Sequence, residues 1–464
     1  MTSVSLLLNM LGCSSPPEGV QAAVSVAENP DNPFSRVLTV SADAAASVQV
    51  AHDMGTTAPQ APGEVLVLGL SADATHTLTV LVDGQAAATV EVSTDPLPLG
   101  WEGCEVSGDW QPEEVVCTNG QDADGANYFC VDRAGQPVWS LSHPDGETML
   151  AVRSLPDGGF AAVGDSKSMV ALFDERGALT AEITPLDLEG RTRFEHGWID
   201  MHELIAISEG QWAGAIAFLT ATGDEVAEGF RIGGGIVVLD PVTLEVLWDW
   251  SAHGMLGDDV PLDPALDYSR FGQLGEQPDW LHVNALVHRI RDDGGEEFWV
   301  SMRSQDWIVA IDAQTDAIRW RLGRDGDWSG PDEAWFYQQH APEVSVVDGE
   351  LRLLVFDNGT RRPEGDGKRS RVVELALDEA SRAVSVIGEV DGFFTAGHGD
   401  ADLLPGRDRL QYVVGWSETP SVEEVRWPDG EALWRMDCPD SDELYRSTFF
   451  PSLYERGWWY DVQR

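Results

Sequence analysis

Positive charge is what this chain has least of. Its 464 residues carry 29 Lys and Arg against 79 Asp and Glu, a formal net charge of −50 that runs along the whole length rather than gathering in a tail. A surface of that kind repels a phosphate backbone, so nucleic acid is excluded as a partner and a solvated acidic exterior is expected. No run of 18 apolar residues occurs, and nothing in the mature chain is expected to span a membrane. None of the five cysteines falls in a CxxC spacing, which argues against a thiolate metal site. Histidine is scarce too, at ten residues. A site that gathers several of them has to draw on distant parts of the chain.

The length exceeds the roughly 100 to 200 residues of one ordinary domain, so two or three domains, or one repeat array with an appendage, are expected. Residues 1–19 hold a short apolar run ending in Leu11-Gly12-Cys13, then a polar tether through Ser14, Ser15, Pro16 and Pro17. This start resembles a bacterial lipoprotein signal, which implies lipidation at Cys13, export, and membrane attachment through the lipid alone. The other cysteines, Cys104, Cys117, Cys130 and Cys438, are expected to pair in an exported chain, with three connectivities open. Residues 20–95 are rich in Val, Thr and Ala in regular alternation, as in Arg36 to Val40 and Thr75 to Val82, with turn signals at Pro62-Gly63 and Asp83-Gly84. They read as a small N-terminal β-sandwich similar to a fibronectin type III module. His52 and His76 stand alone there and read as surface or half-buried strand residues. Asp95 to Gly100, with two prolines, reads as a linker.

Over residues 100–464 one hairpin recurs. An apolar strand runs into a turn containing Asp and often Gly, and the returning strand often holds Trp. The copies start at Tyr128, Val170, Ile236, Ile308, Val372 and Val422. Their turn acids Asp174, Asp240, Asp312, Asp378 and Asp429 are about 50 to 70 residues apart. A four-stranded propeller blade needs about 40 to 45, so the excess belongs in loops. The expected fold is all-β, a six-bladed β-propeller with long loops on one face. Asp279 to Gly323 shows one whole unit: a strand from His282, a turn at Asp292 to Gly295, a return through Phe298 to Arg303, and a hairpin with arms Trp307 to Asp312 and Ala317 to Leu322.

Aligning the innermost strands of the units places histidine at the same point in four of them: His202, His282, His340 and His398. Innermost strands surround the axis of a propeller, so these four should converge at one end of its channel. Arg303 and Asn358, at the ends of second strands, are expected to join them, with Asn284 beside His282. His196, His253 and His288 lack this registration and read as loop or surface residues. The basic run from Arg361 to Arg369 reads as a solvated loop edge.

At these residues the sequence resembles the bacterial arylsulfotransferase family, the PAPS-independent arylsulfate sulfotransferases. The resemblance rests on Asp200-x-His202-Glu203, His282-x-Asn284, Ser301-x-Arg303, Gln339-His340-Ala341-Pro342 and Phe356-Asp357-Asn358-Gly359 in that order, over roughly Gly100 to Tyr454. It implies a six-bladed propeller behind a β-sandwich, and ping-pong transfer of a sulfuryl group from a phenolic sulfate to a phenol through a sulfohistidine. It implies His340 as nucleophile, His202 as proton carrier, Arg303, His282 and Asn284 on the sulfuryl oxygens, and no cofactor. His398 would line the same space, near Thr395. Two other functions remain open from the residues alone. Four histidines around an axis also suit Fe²⁺ or Zn²⁺, with Glu203 behind them, although Arg303 and Asn284 favour an oxyanion over a dication. A surface propeller that binds without catalysis is the other.

Overall fold

The alternation at Thr75 to Val82 is realised as a strand in which Leu78, Val80 and Val82 are buried while Thr75 and Thr77 face outward. The same two-residue period builds most of the molecule. The structure, a computed structural model, describes residues 22–96, 104–108, 114–121, 127–156, 158–226, 229–253, 255–256, 279–362, 369–404, 411–439 and 443–454. Cys13 with its tether, most of the linker and the middle of the Arg361 to Arg369 run lie outside the described residues.

The N-terminal unit consists of two antiparallel sheets. One orders Ala23–Glu28, Arg36–Ser41 and Gly63–Val67; the other orders Gly55–Thr56, Val48–His52, Thr75–Val82 and Gln85–Ser93. Leu38, Val48, Val65 and Leu78, from both sheets, share one apolar cluster. The unit is tied to the rest of the chain through Asn32, which donates to the Ser140 carbonyl at 2.9 Å, and through the Tyr454 hydroxyl, which donates to the Leu68 carbonyl at 2.8 Å.

The later strands form six antiparallel sheets. Their innermost strands are β1 (Met149–Ser154), β2 (His196–Ala206), β3 (Val283–Ile290), β4 (His340–Val347), β5 (Asp400–Leu403) and β6 (Glu443–Phe450). Behind each of β1 to β4 the next three strands follow in chain order, as with Glu296–Met302, Trp307–Asp312 and Ile318–Leu322 behind β3. The unit expected at Asp279 to Gly323 is therefore present. All six recurring hairpins form outer strands of these sheets. Each turn acid earns its place by accepting backbone N–H groups: Asp174 takes those of Arg176 and Ala178, and Asp312 those of Gln314 and Thr315. Tryptophans fill the gaps between neighbouring sheets, where Trp299 and Trp320 meet edge to face at 4.7 Å between ring centres.

Two sheets are completed by strands distant in sequence. Behind β5, the sheet gains Glu105–Gly108 as a fifth strand. β6 pairs with Val115–Gln121, so the last described strand becomes the innermost strand of the first sheet. β1 touches β2, β2 touches β3, and so on to β6, while Asn127–Val131, in the sheet of β6, touches β1. The six sheets close on themselves. Their closure is pinned by Cys104–Cys438, and Cys117–Cys130 links two residues directly opposite each other in adjacent strands.

One expectation is corrected. His196 and His288 are buried strand residues rather than loop or surface ones. His196 bonds Thr220 at 2.7 Å and lies 3.3 Å from Asp249, and His288 meets Glu296 at 3.1 Å. Such pairing lets a polar ring occupy an apolar layer, which the periodic pattern of the sequence does not reveal.

The Cys104–Cys438 bridge spans 334 residues against 13 for Cys117–Cys130. Closing the longer loop removes more disorder from the unfolded chain. The Cys104→Ser/Cys438→Ser variant should therefore melt at a lower temperature than Cys117→Ser/Cys130→Ser. Thermal unfolding under non-reducing conditions checks the order.

Candidate active site

Irregularity in the inner strands builds the site. β1, β2, β3, β4 and β6 each carry a β-bulge near the start, between Leu150 and Arg153, Ile199 and Leu204, Val283 and Ala285, His340 and Glu343, and Leu444 and Ser447. A bulge releases residues from the ladder and re-aims their side chains. His202, Asn284 and Tyr445 lie inside these bulges, and His340 sits at the edge of one. Left-handed backbone at His282 (φ 47°), Gln338 (φ 52°) and Ala341 (φ 39°) concentrates strain at the same level.

The four histidines meet. The His202 ring centre lies 5.1 Å from that of His282 and 5.9 Å from that of His340, and His340 lies 6.0 Å from His398. A fifth ring completes the group: Tyr445 of β6 is 5.7 Å from His340, 5.0 Å from His398 and 6.3 Å from His202. Its hydroxyl donates to the His202 carbonyl at 3.1 Å. Tyr445 is absent from the sequence-based set because its strand holds no histidine with which to align it.

Hydrogen bonds assign the tautomers. His340 is fully buried, and its Nδ1 lies 2.8 Å from the Gly399 carbonyl. A carbonyl only accepts, so Nδ1 carries the hydrogen and Nε2 keeps its lone pair; Nε2 has no hydrogen-bond partner. Gly399 has φ +100°, and a Cβ there would meet the Phe356 ring at 2.5 Å, so glycine is required at the residue that supplies this acceptor. His202 and His282 are held differently. Each presents Nδ1 to a carboxylate, Asp200 for His202 and Asp279 for His282, the latter at 2.6 Å. A carboxylate at Nδ1 favours the imidazolium and directs Nε2 away from it. His398 Nδ1 lies 3.2 Å from Glu443.

The remaining candidates differ in what they contact. Arg303 begins a single 3-10 turn, donates from Nη2 to the Ala396 carbonyl at 2.8 Å and from its backbone to the His282 carbonyl at 3.1 Å. It thus joins the turn after β3's partner strand to the loop that carries His398. Asn284 is buried, donates to the Gln339 carbonyl at 2.8 Å, and leaves Oδ1 without a partner. Asn358 donates to the carbonyls of Thr395 and His398 at 2.9 and 2.7 Å. Both of its amide hydrogens are spent, so it braces the His398 loop instead of donating to a ligand. Thr395 Oγ1 accepts from the Glu418 backbone at 3.4 Å. Among the described residues, no three His, Cys, Asp or Glu side chains stand where they could hold a metal ion together.

The sequence profile of the family described as Arylsulfotransferase (ASST) matches residues 107–446, which takes in every ring of the site. The chain belongs to the arylsulfotransferase family. No curated protein matches it. Likenesses to solved structures are distant. A protein of unknown function from Bacteroides caccae is 10% identical, with 73% of this chain and 98% of that one covered at a TM-score of 0.39. The nidogen/laminin complex gives 11%, 73%, 99% and 0.41, and the WD40 domain of Toxoplasma gondii coronin 8%, 75%, 74% and 0.36.

In this arylsulfotransferase the charge beneath the rings comes from Arg446, which follows Tyr445 and is buried. It donates to Glu203 at 2.5 Å and to the Asn284 carbonyl at 2.8 Å, and Glu203 also receives Arg153 at 3.0 Å. Burial pushes the pKa of His340 well below the usual histidine range, and the Arg446 cation, His202 and His398 push it the same way. Asp306 accepts the Gln338 backbone N–H at 2.6 Å, and burial raises its carboxyl to about 6.

His340 should therefore be neutral, as the Nδ1–H tautomer, at pH 6, where an ordinary histidine is largely protonated. Imidazole ¹⁵N shifts of the folded protein report both properties. An imidazolium spectrum for His340 at that pH would contradict the assignment.

Proposed function

We propose that the chain is a PAPS-independent aryl sulfotransferase that carries the sulfuryl group on His340. The carrying observation is the buried imidazole whose Nδ1 is tied to the Gly399 carbonyl, leaving a bare Nε2 lone pair among three further histidines and a tyrosine. We read the six sheets as the blades of a β-propeller and the N-terminal unit as a β-sandwich; sheet order and the contacts between inner strands support this.

The transfer balances in two halves. Nε2 of His340 attacks the sulfur of a phenolic sulfate, the S–N bond forms as the ester S–O bond breaks, and the departing phenolate takes a proton from His202. Asp200 on Nδ1 stabilises the imidazolium that His202 needs for that step. A phenol acceptor then returns a proton to His202 while its oxygen attacks sulfur and releases His340. His282, Asn284 and Arg303 stabilise the charge on the sulfuryl oxygens. Tyr445 and His398 close the space around the aromatic ring of the substrate. Asn358 acts through the loop it braces.

We further propose export with a lipid on Cys13. The two disulfides among the described residues support an oxidising compartment.

Incubation with 4-nitrophenyl sulfate followed by peptide mass spectrometry should reveal a sulfuryl adduct on His340. His340→Asn should lower transfer to phenol by at least about 10³-fold with melting behaviour kept, as expected for loss of a nucleophile. Arg303→Ala should lower kcat by about 10² to 10³. Transfer that survives in His340→Asn, or an adduct on another residue, rejects the assignment.

A further inference from the structure

Four of the five ring residues are followed by a residue of a second layer along the same line of strands. Glu203 follows His202, Ala341 follows His340, Asp400 lies two beyond His398, and Arg446 follows Tyr445. These four line one cavity, together with Arg153, Asp402 and Glu343. Burial raises the carboxyl pKa of Glu343 and of Asp400 well above the usual carboxylate range, and that of Asp402 to about 6. Arg446 keeps its charge, since Glu203 is its direct partner and pushes its pKa upward. The floor under the histidines is therefore a fixed cation, paired with Glu203, set beside carboxyls whose ionisation burial disfavours.

That cation is placed by three strands. β6 supplies it from a bulge, Glu203 on β2 pins Nη1, and the Asn284 carbonyl on β3 pins Nη2. Glu203 is shared with Arg153 of β1, so one chain of ion pairs links three of the six inner strands and a hydrogen bond adds β3. A buried ion pair of this kind is weak evidence for stability, since desolvating two charges costs about what their attraction returns. Its location beside the nucleophile points elsewhere.

We propose that Arg446 is a positioning residue for sulfuryl transfer: its clamped cation holds His340 as the free base and makes the sulfuryl-bearing imidazole give up its group. This rests on the sulfohistidine reading above. When Nε2 of His340 bonds to sulfur, the ring gains positive character that is lost again as the S–N bond breaks. A cation fixed nearby raises the energy of the charged ring and favours its return to neutral. The other groups facing His340 are His202 from β2, His398 from the loop before β5, the Tyr445 ring and the Gly399 carbonyl, with His282 beyond His202. Beyond Arg446 lie Glu203, Asp400 and Asp402, of which Glu203 is bound to Arg153 and Arg446.

The test uses the full chain with Arg446→Gln and Arg446→Lys. Glutamine removes the charge while retaining a donor for the Asn284 carbonyl, and Glu203 keeps Arg153 as partner. In Arg446→Gln the ¹⁵N titration of His340 without substrate should move up by roughly one pH unit or more, and the acid limb of the transfer rate should follow. The His340 adduct should also pass to phenol roughly tenfold more slowly in rapid-quench experiments, the rate equivalent of about one such unit. Arg446→Lys should restore all three readouts. Should Arg446→Gln fail to fold, Glu203→Gln/Arg446→Gln takes its place; losing the Glu203 anion offsets part of the effect, so smaller shifts of the same sign are expected. A folded charge-free variant whose titration and adduct lifetime match the unaltered protein overturns the proposal, as does failure of lysine to restore them. No adduct in the unaltered protein overturns the sulfohistidine reading and the adduct arm with it, while the titration still decides the hold of Arg446 on His340.

Discussion

The pairing of β6 with Val115–Gln121 is the constraint on which the rest depends. Five inner strands can follow one another in chain order, but a ring of sheets is closed only when a late strand is paired with an early one. Here that strand also brings Tyr445 and Arg446 to the centre. Closure and completion of the site are thus one event. Cys104–Cys438 acts on the neighbouring sheet, where Glu105–Gly108 is added to strands from the other end of the chain. Strands distant in sequence thus complete both sheets.

Regular strands would not make this site. A ladder of perfect period points alternate side chains into the gaps between sheets, where apolar residues pack. The bulges in five inner strands break the period where a polar group has to face the centre, and the left-handed residues at His282, Gln338 and Ala341 fall at the same places. The strain is tolerated because the sheets behind are densely packed, with Trp299 and Phe298 fully buried behind β3. Asp306, Asn284 and Asn358 then tie loop to loop with one or two hydrogen bonds each, which are costly to leave unmade in a buried setting.

Electrostatics divide the molecule. The exterior is acidic, yet the centre holds a buried arginine, an arginine at the turn beside His282 and four histidines. These cations and rings are gathered at the centre of a chain whose net charge is −50. In the proposed reaction, the Arg446 cation suits a His340 that has to be neutral before attack and neutral again after release. His202, with Asp200 on its far nitrogen, is set for the opposite task. Two imidazoles 5.9 Å apart thereby differ at Nδ1, where His340 meets a carbonyl and His202 a carboxylate.

Much of this was legible in the residues. The Asp turns marked six hairpins because a short carboxylate beside free backbone N–H groups makes the same turn wherever it occurs. Histidine at one register in four units marked the ring because inner strands share a centre. The order of motifs from Asp200 to Gly359 marked the family. Hydrogen bonding was not legible: the burial of His196 and His288 depends on partners distant in sequence, as does the use of Asn358 as a brace. Cysteine pairing, the role of Glu443 to Phe450 and the arrival of Tyr445 and Arg446 beside His340 were decided only in three dimensions. Periodicity is a local property that each segment carries alone, whereas ring closure and the tautomer of a buried imidazole depend on which distant groups the closed fold brings within bonding distance.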